Sequence, residues 1–392
     1  MGLYLKSATL MVKKRRVIAG GLLALVAIIA ALITLIKFAE WGSDIGNIIS
    51  STLTLVHGRP PIMADLSIYP ATTYILYTPL GLLPSSLITP ITQLGCLVGI
   101  LAILWIWASE GETLPERGYP PLWVGILLIS PPVLDLVFID QFNTAIAILC
   151  LSLAIALVRR GHTGIISVIL VTFSLVARPF NAIPLIPGLA RFWGGWKNLL
   201  RSVAIAAAIL TGIIFAAWRW DPHLLHDTLS ATTNRPLVGI SNIARLALGP
   251  LGIILLLLVC ACLEWFIAAF SKFNSQADTI AILLALSVIP ITLGGPYASV
   301  YTFPLLIRLA RRLNSPTFFL LYYSAFYALL MLAAWLTSAY LQNFIITPLL
   351  AAVYIFFPII VAIGGSLLLF RNANSDAAGI IPLPPEGVSE QQ

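Results

Sequence analysis

The sequence predicts an all-α polytopic membrane protein, a bundle of about twelve transmembrane segments. Three observations carry this expectation. Hydrophobic residues make up 59% of the 392 residues, charged residues only 9%, and mean hydropathy is +0.99, more apolar side chain than one soluble core of that length can bury. The apolar residues fall in successive runs long enough to cross a bilayer, and helices are required because an open strand edge cannot be left in lipid. The basic residues behind the net charge of +7 lie in short clusters between those runs, where they orient segments and form no continuous face for nucleic acid, so no nucleic-acid partner is expected.

Taken in order, the first segment is 17–38, behind Lys13-Lys14-Arg15-Arg16; its length, and the absence of a small-x-small cleavage site after it, mark a retained signal anchor. A long loop, 39–85, leads to segment 86–108. Segments 121–139 and 141–158 follow almost back to back, with Asp140 at the hinge and Arg159-Arg160 closing the pair. The run 163–189 is too long for one straight span, and Arg178-Pro179, Pro184 and Pro187 interrupt it. It splits into two short helices meeting near Arg178, because proline ends or kinks a helix and its predecessor avoids the helical region. Next come 199–218, a second long loop 219–248, and 250–271. A broken pair, 279–293 and 297–309, turns around Gly294-Gly295-Pro296, and 317–336 with 346–370 make the last hairpin. Residues 1–371 form a single transmembrane domain, and 372–392 are expected to be a disordered cytoplasmic tail. The four cysteines all sit in apolar runs and read as small hydrophobes.

The positive-inside rule assigns sides. With the amino terminus in the cytoplasm, every basic cluster (Lys13 to Arg16, Arg159-Arg160, Arg191 to Arg201, Lys272, Arg308 to Arg312, Arg371) falls on the cytoplasmic face, and the carboxy terminus joins it. Both long loops, 39–85 and 219–248, then face outward together with Asp140-Gln141-Phe142-Asn143 and the Arg178 hinge. One face collects nearly all the polar chemistry.

On that face Asp44 follows directly on the first segment, in Glu40-Trp41-Gly42-Ser43-Asp44. A carboxylate partly desolvated at the bilayer edge is a stronger base than one in bulk water, although an acid there can also be only a solvated end. Arg178, at a helix break and at membrane depth, is costly to leave idle; it either binds an anion or pairs with Asp140 or a backbone carbonyl. Asp140, Gln141 and Asn143 open a helix and can cap it or recognise hydroxyl groups. Asp221-x-His223 and His226-Asp227 have a metal-like spacing, but Pro222 and the loop setting speak against a preformed site. Tyr69, Tyr74 and Tyr77 lie in a proline-rich stretch suited to headgroup depth.

The order of these motifs resembles glycosyltransferase family eighty-seven, membrane-embedded sugar transferases of the GT-C superfamily. The resemblance rests on Asp44 after the first span, Gly58 with Tyr69-Pro70 and Tyr77-Thr78-Pro79, Asp140-Gln141-Phe142-Asn143, and Ala177-Arg178-Pro179. It continues through Asn234-Arg235-Pro236 with Ser241-Asn242 and Arg245 to Gly295-Pro296-Tyr297 and Tyr301. Arg178 stands where the family usually has a lysine, glutamine is absent after Asn234, and tyrosine replaces the usual late histidine. The resemblance implies a GT-C-like catalytic domain in the plasma (inner) membrane, with a polyprenyl-phosphate-linked sugar as donor and a lipid-linked or envelope glycan as acceptor. It implies Asp44 as base, Arg178, Arg245 and Arg235 as phosphate ligands, and Asp140, Gln141, Asn143, Asn234, Tyr297 and Tyr301 around the sugar or acceptor. Inversion at the anomeric carbon follows, and no metal or cofactor is expected, with a divalent cation left open. The competing class is a transporter or flippase of a lipid-linked sugar or phospholipid, since broken helices also occur at transport sites.

Overall fold

The structure is a computed structural model that describes residues 25, 29, 75–109, 120–138, 141–220, 222–223, 240–270, 275–290, 296–313, 315–340 and 356–378. All regular structure among them is helical. In chain order the helices are α1 (Ser85–Ser109), α2 (Pro120–Leu128), α3 (Pro131–Phe138), α4 (Phe142–Arg159), α5 (Ile165–Ala177), α6 (Pro179–Ala190) and α7 (Trp196–Trp220). They continue with α8 (Ile240–Leu248), α9 (Pro250–Phe270), α10 (Gln276–Leu286), α11 (Phe303–Arg312), α12 (Pro316–Tyr340) and α13 (Phe357–Ala378), and 3-10 turns occupy Leu80–Leu82 and Pro296–Thr302. Five of the described helices are long and apolar enough to cross a membrane, six if the bent α2–α3 pair is one span. Among the described residues the protein is all-helical, and its long apolar helices mark it as membrane-embedded. Of the twelve expected segments, 17–38 lies almost wholly outside the described residues.

Several expectations need correction. The run 121–139 is two helices bent by 58°. Pro131 and Pro132 supply no N–H to carry α2 onward, and the Ser130 hydroxyl turns back to the Leu127 carbonyl at 2.5 Å. The loop 219–248 is in part helical: α7 runs through Trp220, and Ile240–Leu248 forms α8, whose apolar residues recur at helical spacing until Gly249 ends it in the left-handed region (φ 62°). In the loop 39–85, Tyr77 is buried at 2% exposure against Phe142, with ring centroids 5.9 Å apart, so it is a packing residue and not a headgroup anchor. Helix α13 continues to Ala378, seven residues into the tail expected to be disordered, because no glycine or proline follows Gly365 until Gly379.

Lipid tails are as apolar as leucine, so helix association here depends on close packing more than on removal of apolar surface from water. Small residues supply the close approaches. A Cβ on Gly95 would stand 2.6 Å from the Phe142 ring, and Gly99 faces Ala145 and Leu149. These two contacts advance together along both chains, so α1 and α4 run parallel. Gly365 of α13 admits Leu305 and Leu309, and Gly188 of α6 admits Leu283. The α8–α9 corner is tighter still: a Cβ on Gly252 would lie 2.0 Å from the Ala244 carbonyl oxygen. Only glycine fits there.

These contacts also sort the ends of the bundle. Arg311 donates to the carbonyls of Trp107 and Ala108 at the carboxyl end of α1, the end that parallel α4 shares with Arg159. Thr163, just past Arg159, lies 3.7 Å from where a Cβ on Gly194 would be, so Arg191 and Lys197 join the same end. The opposite end of α6 begins at Arg178. Among the described residues, Arg159, Arg191, Lys197 and Arg311 therefore lie at one end of these helices and the Arg178 hinge at the other.

Arg308, Arg311 and Arg312 are nevertheless not merely solvated orienting charges. Arg308, 3% exposed, pairs its Nε with Asp278 Oδ1 at 2.5 Å, and Arg312 holds Oδ2 of the same carboxylate. Arg308 also donates to Ser275 Oγ at 3.0 Å, and Ser275 caps α10 by accepting from the Asp278 N–H. Removing the carboxylate strands two cations in a site where Asp278 itself is fully buried. Asp278→Ala is expected to destabilise the protein by about 3–5 kcal/mol, read as a lowered thermal midpoint in detergent. Replacing all three charged residues together by apolar ones of similar volume should cost much less.

Candidate functional site

The site is built from three interruptions of helix that meet at one end of the bundle. The first is the α5–α6 break. Pro179 has no N–H to offer, and Arg178 before it leaves the helical region (φ −145°, ψ 76°), although its own N–H still bonds the Ser174 carbonyl at 2.9 Å. Helix α5 has thirteen residues, about 20 Å at 1.5 Å per residue, against a hydrocarbon core of about 30 Å. If α5 starts at the membrane surface of the basic end, Arg178 lies within the slab and not at its rim.

The second interruption is the start of α4. Gln141 is the N-cap residue, but its side chain makes no cap bond. Instead its Oε1 accepts from Arg178 Nη2 at 2.7 Å, and Gln141 is 4% exposed. The Gln141 side chain therefore does not cap α4 and instead holds Arg178. Asn143, two residues on, is 1% exposed and also lies inside the helix.

The third is the 3-10 turn Pro296–Thr302. It sets the Tyr297 ring under Arg178, with the guanidinium carbon 5.5 Å from the ring centroid, a cation–π arrangement. The turn is tied down by Asp135 of α3, whose Oδ2 accepts from the Tyr297 N–H at 2.9 Å. Tyr301, one helical turn further on and 1% exposed, lies within electrostatic range of Arg178. On α6, Asn181 closes the floor by donating to the Ser287 carbonyl at 2.7 Å.

Arg178 is thus held by a planar amide and an aromatic face, and it is half-buried. On α3, α4 and the 3-10 turn lie buried polar atoms with no partner among the described residues: Asp135 Oδ1, which shares its carboxylate with the Tyr297 N–H, both amide atoms of Asn143, and Tyr301 Oη. Buried polar groups in folded proteins are nearly always bonded. Such a set beside a held arginine can take a ligand that is anionic and rich in hydroxyl groups.

Of the residues singled out from the sequence, the structure brings Gln141, Arg178 and Tyr297 into contact, with Tyr301 in range and Asn143 on the same helix start. Arg245 is half-buried on α8, which packs mainly along α9, so it sits on a separate helix from this cluster. His223 is exposed. Asp44, Asp140, Asn234, Arg235 and the potential metal partners Asp221, His226 and Asp227 lie outside the described residues. Asp135 and Asn181 are the residues that sequence reasoning missed. For Asp135 the signal was present: it is the one acid inside the run 121–139, and an ionisable residue within a membrane segment is seldom idle. No family model, curated protein or solved structure matches the chain.

Proposed function

We propose that the chain is an inverting membrane glycosyltransferase that moves a sugar, mannose or another hexose, from a polyprenyl-phosphate donor to a lipid-linked or envelope acceptor on the non-cytoplasmic face of the plasma membrane. The observation that supports this reading best is the Arg178 cluster: a positive charge held by Gln141 and Tyr297, on elements that also carry buried polar atoms without a partner among the described residues. A phosphate suits the first and sugar hydroxyls the second. The twelve-span GT-C-like arrangement, with both termini cytoplasmic, belongs to the same proposal.

In this mechanism Asp44 removes the proton of an acceptor hydroxyl. The freed oxygen attacks the anomeric carbon from the face opposite the phosphate. The bond from that carbon to the phosphate oxygen breaks, its electron pair stays on the oxygen, and polyprenyl phosphate leaves with one more negative charge. Arg178, with Arg245 and Arg235 as its proposed companions, stabilises that developing charge. Asp140, Gln141, Asn143, Asn234, Tyr297 and Tyr301 are proposed to hold the sugar or acceptor, Gln141 by way of Arg178. No step uses a metal or cofactor.

A transporter or flippase is the rival, because a polar cluster between broken helices can also carry a substrate across. Group transfer needs no second compartment, whereas transport does. Purified protein in detergent should therefore move radiolabelled mannose from polyprenyl-phosphate-mannose onto an endogenous lipid extract, in the presence of a chelator. Absence of any transferred label across a panel of polyprenyl-phosphate hexoses, together with uptake in proteoliposomes, would replace the transferase reading by the rival one.

A further inference from the structure

A cavity lies away from Arg178, toward the basic end, between α5, α6 and α7. Its volume is about 260 Å³, and Val168, Leu175, Leu189, Trp193, Ser202 and Leu210 are among the residues that line it. The lining is hydrocarbon except for Ser202, and Ser202 is already engaged: its hydroxyl accepts from Trp193 Nε1 at 2.6 Å. No side chain there is left to receive a polar ligand. The volume is just below the range of about 300–1,000 Å³ typical of small-ligand pockets, which suits part of a lipid tail and excludes a whole headgroup.

Helix α7, which forms one wall, is the least buried of the five described helices long enough to cross a membrane: only 6% of its apolar window is buried. Leu200, Val203, Ile214, Phe215 and Trp218 are exposed along it. In a membrane this wall stands in the acyl region, so hydrocarbon chains have direct access to the cavity.

What distinguishes the site is the charge at its end. Two tight turns meet there, one after α4 and one between α6 and α7, and Gly161 (φ 80°), Gly194 (φ 75°) and Gly195 (φ 102°) make them possible. The Thr163 and Gly194 contact joins them. Together with the first turns of α7 they carry Arg159, Arg160, Arg191, Lys197 and Arg201, of which the last four are exposed. The sequence from 141 to 220 contains no aspartate or glutamate, so the elements that carry Arg160, Arg191, Lys197 and Arg201 bring no acid of their own. An apolar slot in the acyl region with four exposed basic side chains at its end matches one occupant in charge and polarity. We infer that the α5–α6–α7 cavity binds an acyl chain of an anionic phospholipid whose headgroup phosphate rests on the Arg160, Arg191, Lys197 and Arg201 cluster.

This site does not depend on the transferase reading. Basic residues near the membrane surface attract anionic lipid at each position, whereas a zwitterionic lipid with the same tails gains only the cavity. The experiment is native mass spectrometry of the delipidated full chain with dioleoyl phosphatidylglycerol or dioleoyl phosphatidylcholine. The expected result is at least about tenfold tighter binding of phosphatidylglycerol. Arg191→Gln, Lys197→Gln and Arg201→Gln combined should remove that preference while leaving tail binding. Ala206→Trp, which fills the cavity, should weaken both lipids in protein whose thermal midpoint is unchanged. Equal affinity of the wild-type protein for the two lipids overturns the headgroup assignment without any variant. A preference surviving in the triple variant, unaltered binding to Ala206→Trp, or dimers that mask α7 in place of bound lipid would each overturn the site.

Discussion

Arg178→Ala is expected to lower the rate of sugar transfer by about a hundred- to a thousandfold, the usual loss when a preorganised group facing developing charge is removed. The geometry explains why so much rests on one side chain. The guanidinium is fixed on one edge by Gln141 Oε1 at 2.7 Å and over one face by the Tyr297 ring at 5.5 Å. The guanidinium is therefore already positioned, without further ordering, when charge builds on a phosphate. Arg178→Lys should recover only part of the rate, because an ammonium is a point charge that cannot hold the amide, lie on the ring and present a donor fork at once. Gln141→Leu tests the positioning role separately. It should lower transfer less than the alanine variant does, and it should be partly restored by Gln141→Glu, which offers Arg178 an acceptor again. A wild-type rate in Arg178→Ala would show that the cluster only holds helices together.

Asp44→Asn is expected to reduce transfer by about a hundred- to ten-thousandfold, the range lost with a general base, while donor affinity stays at the wild-type level. The amide keeps the size and hydrogen-bonding reach of the carboxylate but accepts no proton at neutral pH. The two variants should therefore separate: Arg178→Ala weakens donor binding as well as turnover, and Asp44→Asn spares binding and stops turnover. Retained turnover in Asp44→Asn removes the base from the mechanism and leaves the phosphate site standing.

How much of this could be read in advance depended on whether the cause was local. The break at Arg178-Pro179 was legible because proline acts on its own residue and the one before it, and α4, α7 and α9 were legible from length and composition alone. The bend between α2 and α3 had an equally local cause in Pro131-Pro132, but an unbroken apolar run on both sides hid it. Helix α8 was lost inside a stretch read as loop because its helical spacing lasts only nine residues, bounded by Gly239 and by Gly249-Pro250. Partners were another matter. Tyr297 meets Asp135 across 162 residues of sequence, and Gln141 meets Arg178 across 37. Such pairings arise only when separate helix breaks fold to one end. Arg308 and Arg312 show the same limit: a buried arginine and a solvated one look alike in sequence until Asp278 is found between them.

The claim on which the account turns is that Arg178 receives a phosphate carried on an isoprenoid. Purified wild-type protein in nanodiscs should bind tritiated undecaprenyl phosphate more tightly than undecaprenol of the same chain length, and Arg178→Ala should bind the two alike, since the tail is common to both and only the phosphate distinguishes them. If the wild-type protein does not discriminate between the two lipids, or if the discrimination persists undiminished without Arg178, the account is contradicted.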